Sequence, residues 1–254
     1  MTRIAVTGAL GRLGGQICSL LAGRDGVEVL PLTRAVADYD DRRALDKALA
    51  GVDMLALVSS DGEAELVLQH HQNVAAAAAA NGVAHVVALS SVDADVDSPF
   101  CYARVNALTE RAFEETGCAV TAVRASIFTE FFASLVKLAK VDGELRLPAD
   151  DGRISLVARE DVGRCMAALA LSPVAGSYDV TGPASVDMDT VAAAAGATYV
   201  PVSDAAFQSY LAGRETPWWS YAYTSMFASI REQRWDVVSD AVEQLTGQSP
   251  LAAI

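Results

Sequence analysis

The first fifteen residues restrict the fold more than any other stretch of the chain. In RIAVTGALGRLGG, residues 3–15, a short apolar run from Ile4 to Val6 ends in Thr7 and meets glycines at 8, 11 and 14. A helix-period stretch follows from Gln16 to Ala22, with Ile17, Leu20 and Leu21 on one face. A strand, a G-x-x-G-x-x-G turn and a helix, in that order, open a dinucleotide-binding βαβ unit. Each glycine has its own task. Gly8 takes the backbone angles of a sharp turn, Gly11 leaves room for a pyrophosphate against the main chain, and Gly14 lets the helix pack closely on the strand. The helix then offers unpaired N–H groups and a positive dipole end to the phosphates. Leu10, Arg12 and Leu13, interleaved with the glycines, belong to the same predicted cradle.

Composition sets outer limits on what such a unit can serve. With 254 residues and 52% apolar content, the chain can bury one substantial core and a small appended lobe. No apolar run is long enough to span a bilayer and a strand starts at once, so the expectation is a cytoplasmic protein without signal peptide or membrane contact. Cys18, Cys101, Cys118 and Cys165 lie far apart, without metal or redox spacing, and read as reduced thiols; no metal site is expected. A net charge of −13 argues against nucleic acid as a partner. An anionic cofactor must then be held by local positive potential.

The alternation of strands and helices continues along the chain. Val27 to Thr33 is the second strand, and Arg34 stands at its C-terminal edge. An acid there would bond the ribose hydroxyls of NAD, whereas an Arg pairs with the 2′-phosphate of NADP. Arg34, with Arg12 closing from the glycine turn, predicts NADPH. The next connection is short: Val36 and Ala37 suggest a stub of strand, and Leu45, Ala48 and Leu49 give helical spacing up to Gly51. The helix usual between the second and third strands is expected to be missing, leaving the adenine end of the site open. Met54 to Ser60 reads as a buried parallel strand whose edge, Val58, Ser59 and Ser60, lies under the cofactor. Leu66 to Asn81 is a helix carrying His70 and His71, which point about 100° apart, cannot share a metal and read as surface or boundary residues. Val83 to Ser91 is another parallel strand, ending in Leu89, Ser90 and Ser91.

Here the chain resembles the short-chain dehydrogenase/reductases, and more closely their atypical NmrA-like branch, which includes the type 2 NAD(P)H:quinone oxidoreductases. The residues that carry the resemblance are TGALGRLG at 7–14, Arg34, ADYDD at 37–41 and the serine-ended strand at 83–91. Further on they are TERAFEETGCAVTAVRASIF at 109–128, GRISLVAREDVGRCMAALAL at 152–171 and VSDAVEQLTGQSP at 238–250. The resemblance implies an α/β, Rossmann-like, doubly wound parallel sheet with a small C-terminal substrate lobe. It places an NAD(P)-binding core in residues 1–150, with 152–182 returning to the main sheet, and the smaller lobe in 183–254. It adds Ala37, Asp38 and Tyr39, and the loop Ser126, Ile127 and Phe128, to the cofactor-binding residues.

The resemblance also implies a catalytic Tyr, with a Lys four residues on to lower its pKa, and a Ser that orients the substrate oxygen. Ser91 and Tyr102 match, but position 106 is Asn, which cannot stabilise a phenolate as an ammonium does. Hydride transfer belongs to the cofactor, so a missing acid slows the chemistry without abolishing it. The leading expectation is an NADPH-dependent oxidoreductase passing hydride to a quinone or an activated carbonyl. The alternative is a non-catalytic NADP-binding redox sensor acting through a protein partner; an epimerase or lyase is disfavoured by the absent Lys. The substrate is expected to be small and hydrophobic or aromatic, because TPWWSYAYTSMFASIREQRW at 216–235 supplies aromatics for a lid or for packing between lobes. A homodimer is compatible with the resemblance.

Overall fold

A computed structural model describes residues 1–252. The first half runs β1 (Thr2–Val6), α1 (Arg12–Leu21), β2 (Val27–Pro31), α2 (Arg42–Leu49), β3 (Met54–Leu57), α3 (Ala64–Ala80), β4 (His85–Ser91), α4 (Cys101–Glu114) and β5 (Ala119–Ala125). It continues through α5 (Thr129–Ala139), β6 (Lys140–Val141), β7 (Glu144–Leu147), β8 (Arg153–Ile154), α6 (Arg159–Leu171) and β9 (Gly176–Val180). The remainder is β10 (Val186–Asp187), α7 (Met188–Ala194), β11 (Thr198–Pro201), α8 (Asp204–Leu211), α9 (Pro217–Arg231) and α10 (Ala241–Thr246).

Six strands form one parallel sheet in the order β2-β1-β3-β4-β5-β9. The unbroken apolar runs of β3 and β4 are buried because helices cover both faces. α1, α6 and α10 close one face over Ile4, Val6, Ile17 and Met166, while α2, α3 and α4 close the other over Ala5, Leu55, Leu57 and Phe113. From β1 the chain winds first toward β2 and then back past itself to β3. The C-terminal ends of β1 and β3 therefore border a topological switch point, where open α/β sheets bind ligands.

Two expectations for the β2–β3 connection need correcting. Val36 and Ala37 form no strand; their amides turn back onto the Thr33 carbonyl at 2.9 and 2.8 Å. The crossover helix is present as α2, started by Asp41, whose carboxylate accepts from the amides of Arg43 and Ala44. What the sheet lacks is a strand outside β2, so β2 is its edge.

A second core gathers Phe132, Leu145, Leu147, Ile154, Phe207, Phe227 and Trp235. Its elements are α5, α7, α8, α9, the small sheet β11-β7-β6 and the pair β8–β10. They come from both sides of the expected 150 and 183 boundaries. Among the described residues no helix is long and apolar enough to cross a membrane, and no cluster of three or more metal-ligating side chains forms. All four cysteines are free, two of them buried.

Candidate functional site

The glycine turn is built as its spacing predicts. Gly8 has φ +61°, in the left-handed region that favours glycine. A Cβ on Gly14 would stand 2.3 Å from the Gly8 carbonyl oxygen and 2.7 Å from that of Thr7, so any side chain there must displace backbone. A Cβ on Gly11 would stand 3.1 Å from the Gly8 oxygen, tighter than an ordinary contact. The Thr7 hydroxyl fastens the turn to the end of β3, donating to Val58 O at 3.0 Å and accepting from Val58 N at 2.8 Å. α1 starts behind Gly11 with no side-chain cap and no acid in its first turn. Its first amides and its dipole are thus left for an anion.

A cleft of about 790 Å³ lies over this turn. It brings together Gly8, Gly11, Arg12, Leu13, Gly14, Arg34, Ala37, Asp38, Tyr39, Val58, Ser59, Ser60, Leu89 and Phe128, all expected from the sequence. Arg12 and Arg34 are both exposed on its wall. Leu10 is not among these residues: its side chain is 89% exposed on the outside of the turn. The cleft also takes in Asp40, Asp61, His70 and Arg159, which sequence reasoning did not assign to it. Arg159 opens α6 and lies over the Phe128 ring, 5.3 Å from its centroid. It arrives there because α6 docks on α1: Gln16 Nε2 donates to the Glu160 carbonyl at 2.9 Å, and Gly163 leaves no room for a Cβ beside Gln16.

An apolar pocket of about 290 Å³ adjoins the cleft. The two share Ser59, Ser60, Asp61, Leu89 and Phe128 as a common wall. Ser90, Ser91, Ser126 and Ile127 line the pocket from the ends of β4 and β5, Tyr102 and Asn106 line it from α4, and Phe131, Trp219, Tyr223, Met226 and Trp235 complete it. Ser90, Ser126 and Ile127 thus border the pocket and not the cleft proper. The aromatic stretch is divided: Trp219 and Tyr223 of α9 line the pocket, while Trp235, 1% exposed, also packs in the second core.

Hydrogen bonds fix the polar groups of the pocket. The Tyr102 hydroxyl donates to the Gly62 carbonyl at 2.5 Å and accepts from Trp218 Nε1 at 3.3 Å. Its ring stacks on Trp219 with centroids 6.1 Å apart. Burial pushes the phenol above its ordinary pKa, so it keeps its proton near neutral pH. Asn106 Nδ2 donates to Ser91 Oγ at 3.0 Å, which leaves the Ser91 hydroxyl proton free. Ser90 donates to Glu110 at 2.5 Å, and Glu110 receives Arg124 at 3.0 and 2.6 Å, tying the ends of β4 and β5 to α4. Buried Asp93 holds the far wall: it accepts from Ser98 at 2.6 Å and from Ser229, which itself accepts from Trp235 Nε1.

The two histidines of α3 are not at the surface. His70 is 4% and His71 0% exposed, because α3 lies between α2 and α4, and its alanines bring those helices close. His70 faces the cleft, with Nδ1 3.0 Å from Ser60 Oγ and Nε2 3.4 Å from an Asp40 oxygen. His71 faces α4, with Nδ1 2.8 Å from Thr109 Oγ1.

Comparison with known proteins agrees with this geometry. The model of the NmrA-like family matches residues 1–189. The chain is 32% identical over 174 residues to quinone oxidoreductase 2 of Escherichia coli, covering 62% of this chain and 60% of that protein. It is 32% identical over 202 residues to (4-alkanoyl-5-oxo-2,5-dihydrofuran-3-yl)methyl phosphate reductase of Streptomyces griseus, covering 72% and 69%. The alignments thus span between 60% and 69% of these two relatives' lengths. Among solved structures, an NADPH-dependent quinone oxidoreductase of E. coli complexed with NADPH superposes with TM-score 0.88 at 25% identity, covering 98% of this chain and 96% of that one. A Staphylococcus aureus protein described as a nucleoside-diphosphate-sugar epimerase gives TM-score 0.87 at 21% identity, covering 100% and 98%, a likeness of fold alone.

Proposed function

The chain belongs to the NmrA-like family, and from that premise we propose that it is an NADPH-dependent oxidoreductase reducing a quinone or activated carbonyl held in the aromatic pocket. The observation that carries the proposal is the shared wall: the cleft over the glycine turn opens, past Ser59, Ser60 and Phe128, straight into an apolar pocket. A cofactor along the one and a flat acceptor in the other would meet there. The relatives named as quinone and butenolide-type reductases support the reading. The free, widely spaced cysteines fit a reducing compartment, so the cytoplasm is the proposed location.

Bound NADPH supplies the two electrons as hydride. The chain's own residues bind, orient and exclude water. The first-turn amides of α1 hold the pyrophosphate, and Gly11 and Gly14 keep the approach clear. Arg12 and Arg34 bind the 2′-phosphate as charge-assisted hydrogen-bond donors. Tyr39 and Leu89 line the cleft walls that would hold the cofactor. Ser91, accepting from Asn106, has its hydroxyl proton free for a substrate oxygen. Tyr102 shapes the pocket with Trp219, its own hydroxyl proton committed to Gly62. A pocket without an ammonium-activated phenol suits an acceptor whose conjugation spreads the incoming charge.

Calorimetry with NADPH and NADH, followed by NADPH oxidation with a panel of quinones and enones, tests the reading. Tight NADPH binding and steady turnover with an acceptor support it. The engaged Tyr102 hydroxyl and Asn106 also favour a second reading, an NADP-binding redox sensor. Tight binding with no turnover on any acceptor would select the sensor, and no heat with either coenzyme would sink both.

A further inference from the structure

Reduction of a quinone by hydride leaves an oxygen that must take up a proton, and the residues usual for that step in short-chain reductases are not available here. Tyr102 directs its proton to a backbone carbonyl, and position 106 is Asn. Three side chains from three separate segments meet where the cleft and pocket join. Asp40 comes from the β2–α2 connection, Ser60 from the β3–α3 connection and His70 from α3. All three line the cleft, and Ser60 lines the pocket as well. Ser60 Oγ stands 3.0 Å from His70 Nδ1. On the other side of the ring, His70 Nε2 stands 3.4 Å from Asp40, whose side chain is 60% exposed while that of His70 is 5% exposed. Tyr39 sets its ring edge-on to the imidazole, with centroids 5.5 Å apart, and so fixes the ring's plane.

We propose that Asp40, His70 and Ser60 form a proton relay that delivers to the substrate the proton completing its reduction, an assignment that rests on the oxidoreductase reading above. The overall balance is acceptor plus NADPH plus one proton giving reduced acceptor plus NADP⁺. In the relay the Ser60 O–H bond breaks as its proton passes to the negatively charged acceptor oxygen. The new O–H bond at Ser60 forms with the proton that imidazolium Nδ1 gives up. His70 is left neutral, with its remaining proton on Nε2 toward Asp40. After product leaves, water filling the pocket returns a proton to Nδ1 through Ser60. The groups facing this ring are Asp40 and Tyr39 from the β2–α2 connection and Ser60 from the β3–α3 connection; Asp61 lines the same cleft, and the adjacent His71 turns away to α4. Among the described residues Asp40 is the carboxylate paired with the ring, 3.4 Å from Nε2, and it holds Nδ1 turned toward Ser60. Ser60 would touch substrate; His70 and Asp40 act through it.

The test uses the whole protein with NADPH and 1,4-naphthoquinone, in native form and as Ser60→Ala, His70→Gln and Asp40→Asn. Ser60→Ala and His70→Gln are expected to lower kcat roughly 10²-fold, the ordinary worth of a positioned proton donor. Calorimetric affinity for NADPH should stay within about three-fold, since the relay acts on the chemical step. A second readout needs no turnover: in the cofactor-free protein, the ¹⁵N resonance of His70 Nδ1 should move in Ser60→Ala, and that of Nε2 in Asp40→Asn. Ser60 and Asp40 sit in connections between elements, so these two variants decide the matter if His70→Gln does not fold. Native turnover with unimpaired Ser60→Ala overturns the relay alone. A kcat loss explained by lost NADPH affinity assigns the cluster to cofactor binding and also overturns it. No turnover by the native protein fells the oxidoreductase reading and the relay together.

Discussion

Acid should destabilise this fold in part through His71, and the size of that contribution follows from its surroundings. Thr109 has a single hydroxyl proton, which goes to the Val105 carbonyl at 2.8 Å. Its oxygen must therefore accept at 2.8 Å from His71 Nδ1–H, which leaves the Nε2 lone pair buried without a partner. Protonating Nε2 would put a charge among apolar groups, beside a second histidine. Burial first, and the neighbouring His70 second, lower the His71 pKa from 6.5 to about 4. Between those values the unfolded chain binds a proton that the native state does not. Stability thus rises with pH across the window: it is fully present above about 6.5 and is lost as pH falls toward about 4. At about 1.4 kcal/mol per pH unit, that gap is worth roughly 3 kcal/mol. Urea denaturation of the native protein and of His71→Gln, from about pH 7.5 to about pH 4.5, reads it directly. The Gln amide can still donate to Thr109 but does not titrate, and the difference between the two proteins removes the contribution of every other group. At neutral pH the variant should be the less stable, and its deficit should shrink by roughly 2.5 kcal/mol by about pH 4.5, short of the full gap because the folded-state pKa is not yet passed. A deficit constant across the range would refute the tautomer and burial argument.

Arg34→Glu should weaken NADPH by roughly 10- to 100-fold, the worth of a charge-assisted contact, while leaving NADH within a few-fold by calorimetry. Equal loss for both would remove the phosphate clamp. Gly14→Ala must push a methyl group into backbone oxygens at 2.3 and 2.7 Å, so NADPH affinity should fall more than about ten-fold and Tm should drop. An unchanged Tm and affinity would mean that the turn is looser than drawn. Tyr102→Phe removes the bond to Gly62 and should cost about 1 kcal/mol in urea. Its effect on quinone reduction should fall on KM more than on kcat, and a loss of kcat with unchanged KM would return the phenol to a proton-donating role.

What could be read in advance was local. The turn at Gly8, Gly11 and Gly14 needs only its own backbone and the two elements it joins, and Arg34 needs only its place after β2. Asn106 could be seen as the loss of an ammonium, but not as the partner of Ser91, since that contact spans two elements. His70 and His71 were misjudged because α3 carries alanine on several faces, so periodicity gives no solvent side; the neighbours α2 and α4 decide that both are buried. Arg159 lies 147 residues from the glycine turn's Arg12 and meets the cleft only through the docking of α6 on α1. No motif encodes such an encounter. The missing outer strand was misread as a missing helix because the short segment between β2 and β3 can hold one element, and Asp41 as a cap decides which.

Net charge and cofactor charge set a last physical problem, which the placement of arginines resolves. A chain of net charge −13 repels an anionic dinucleotide at long range. Beyond about 8 Å that repulsion is largely screened at physiological salt, so the potential inside the cleft governs binding. There the amide end of α1 lies beside Arg12, Arg34 and Arg159, with Asp38, Asp40 and Asp61 on the same walls. Several guanidiniums elsewhere pair with carboxylates, as in Arg124–Glu110, Arg231–Asp204 and Arg234–Asp95, and Arg159 itself stands 3.8 Å from Glu130. Arg12 and Arg34 are thus, among the described residues, the cleft guanidiniums without a carboxylate at ion-pair distance, and they stand beside the turn where the backbone already favours an anion.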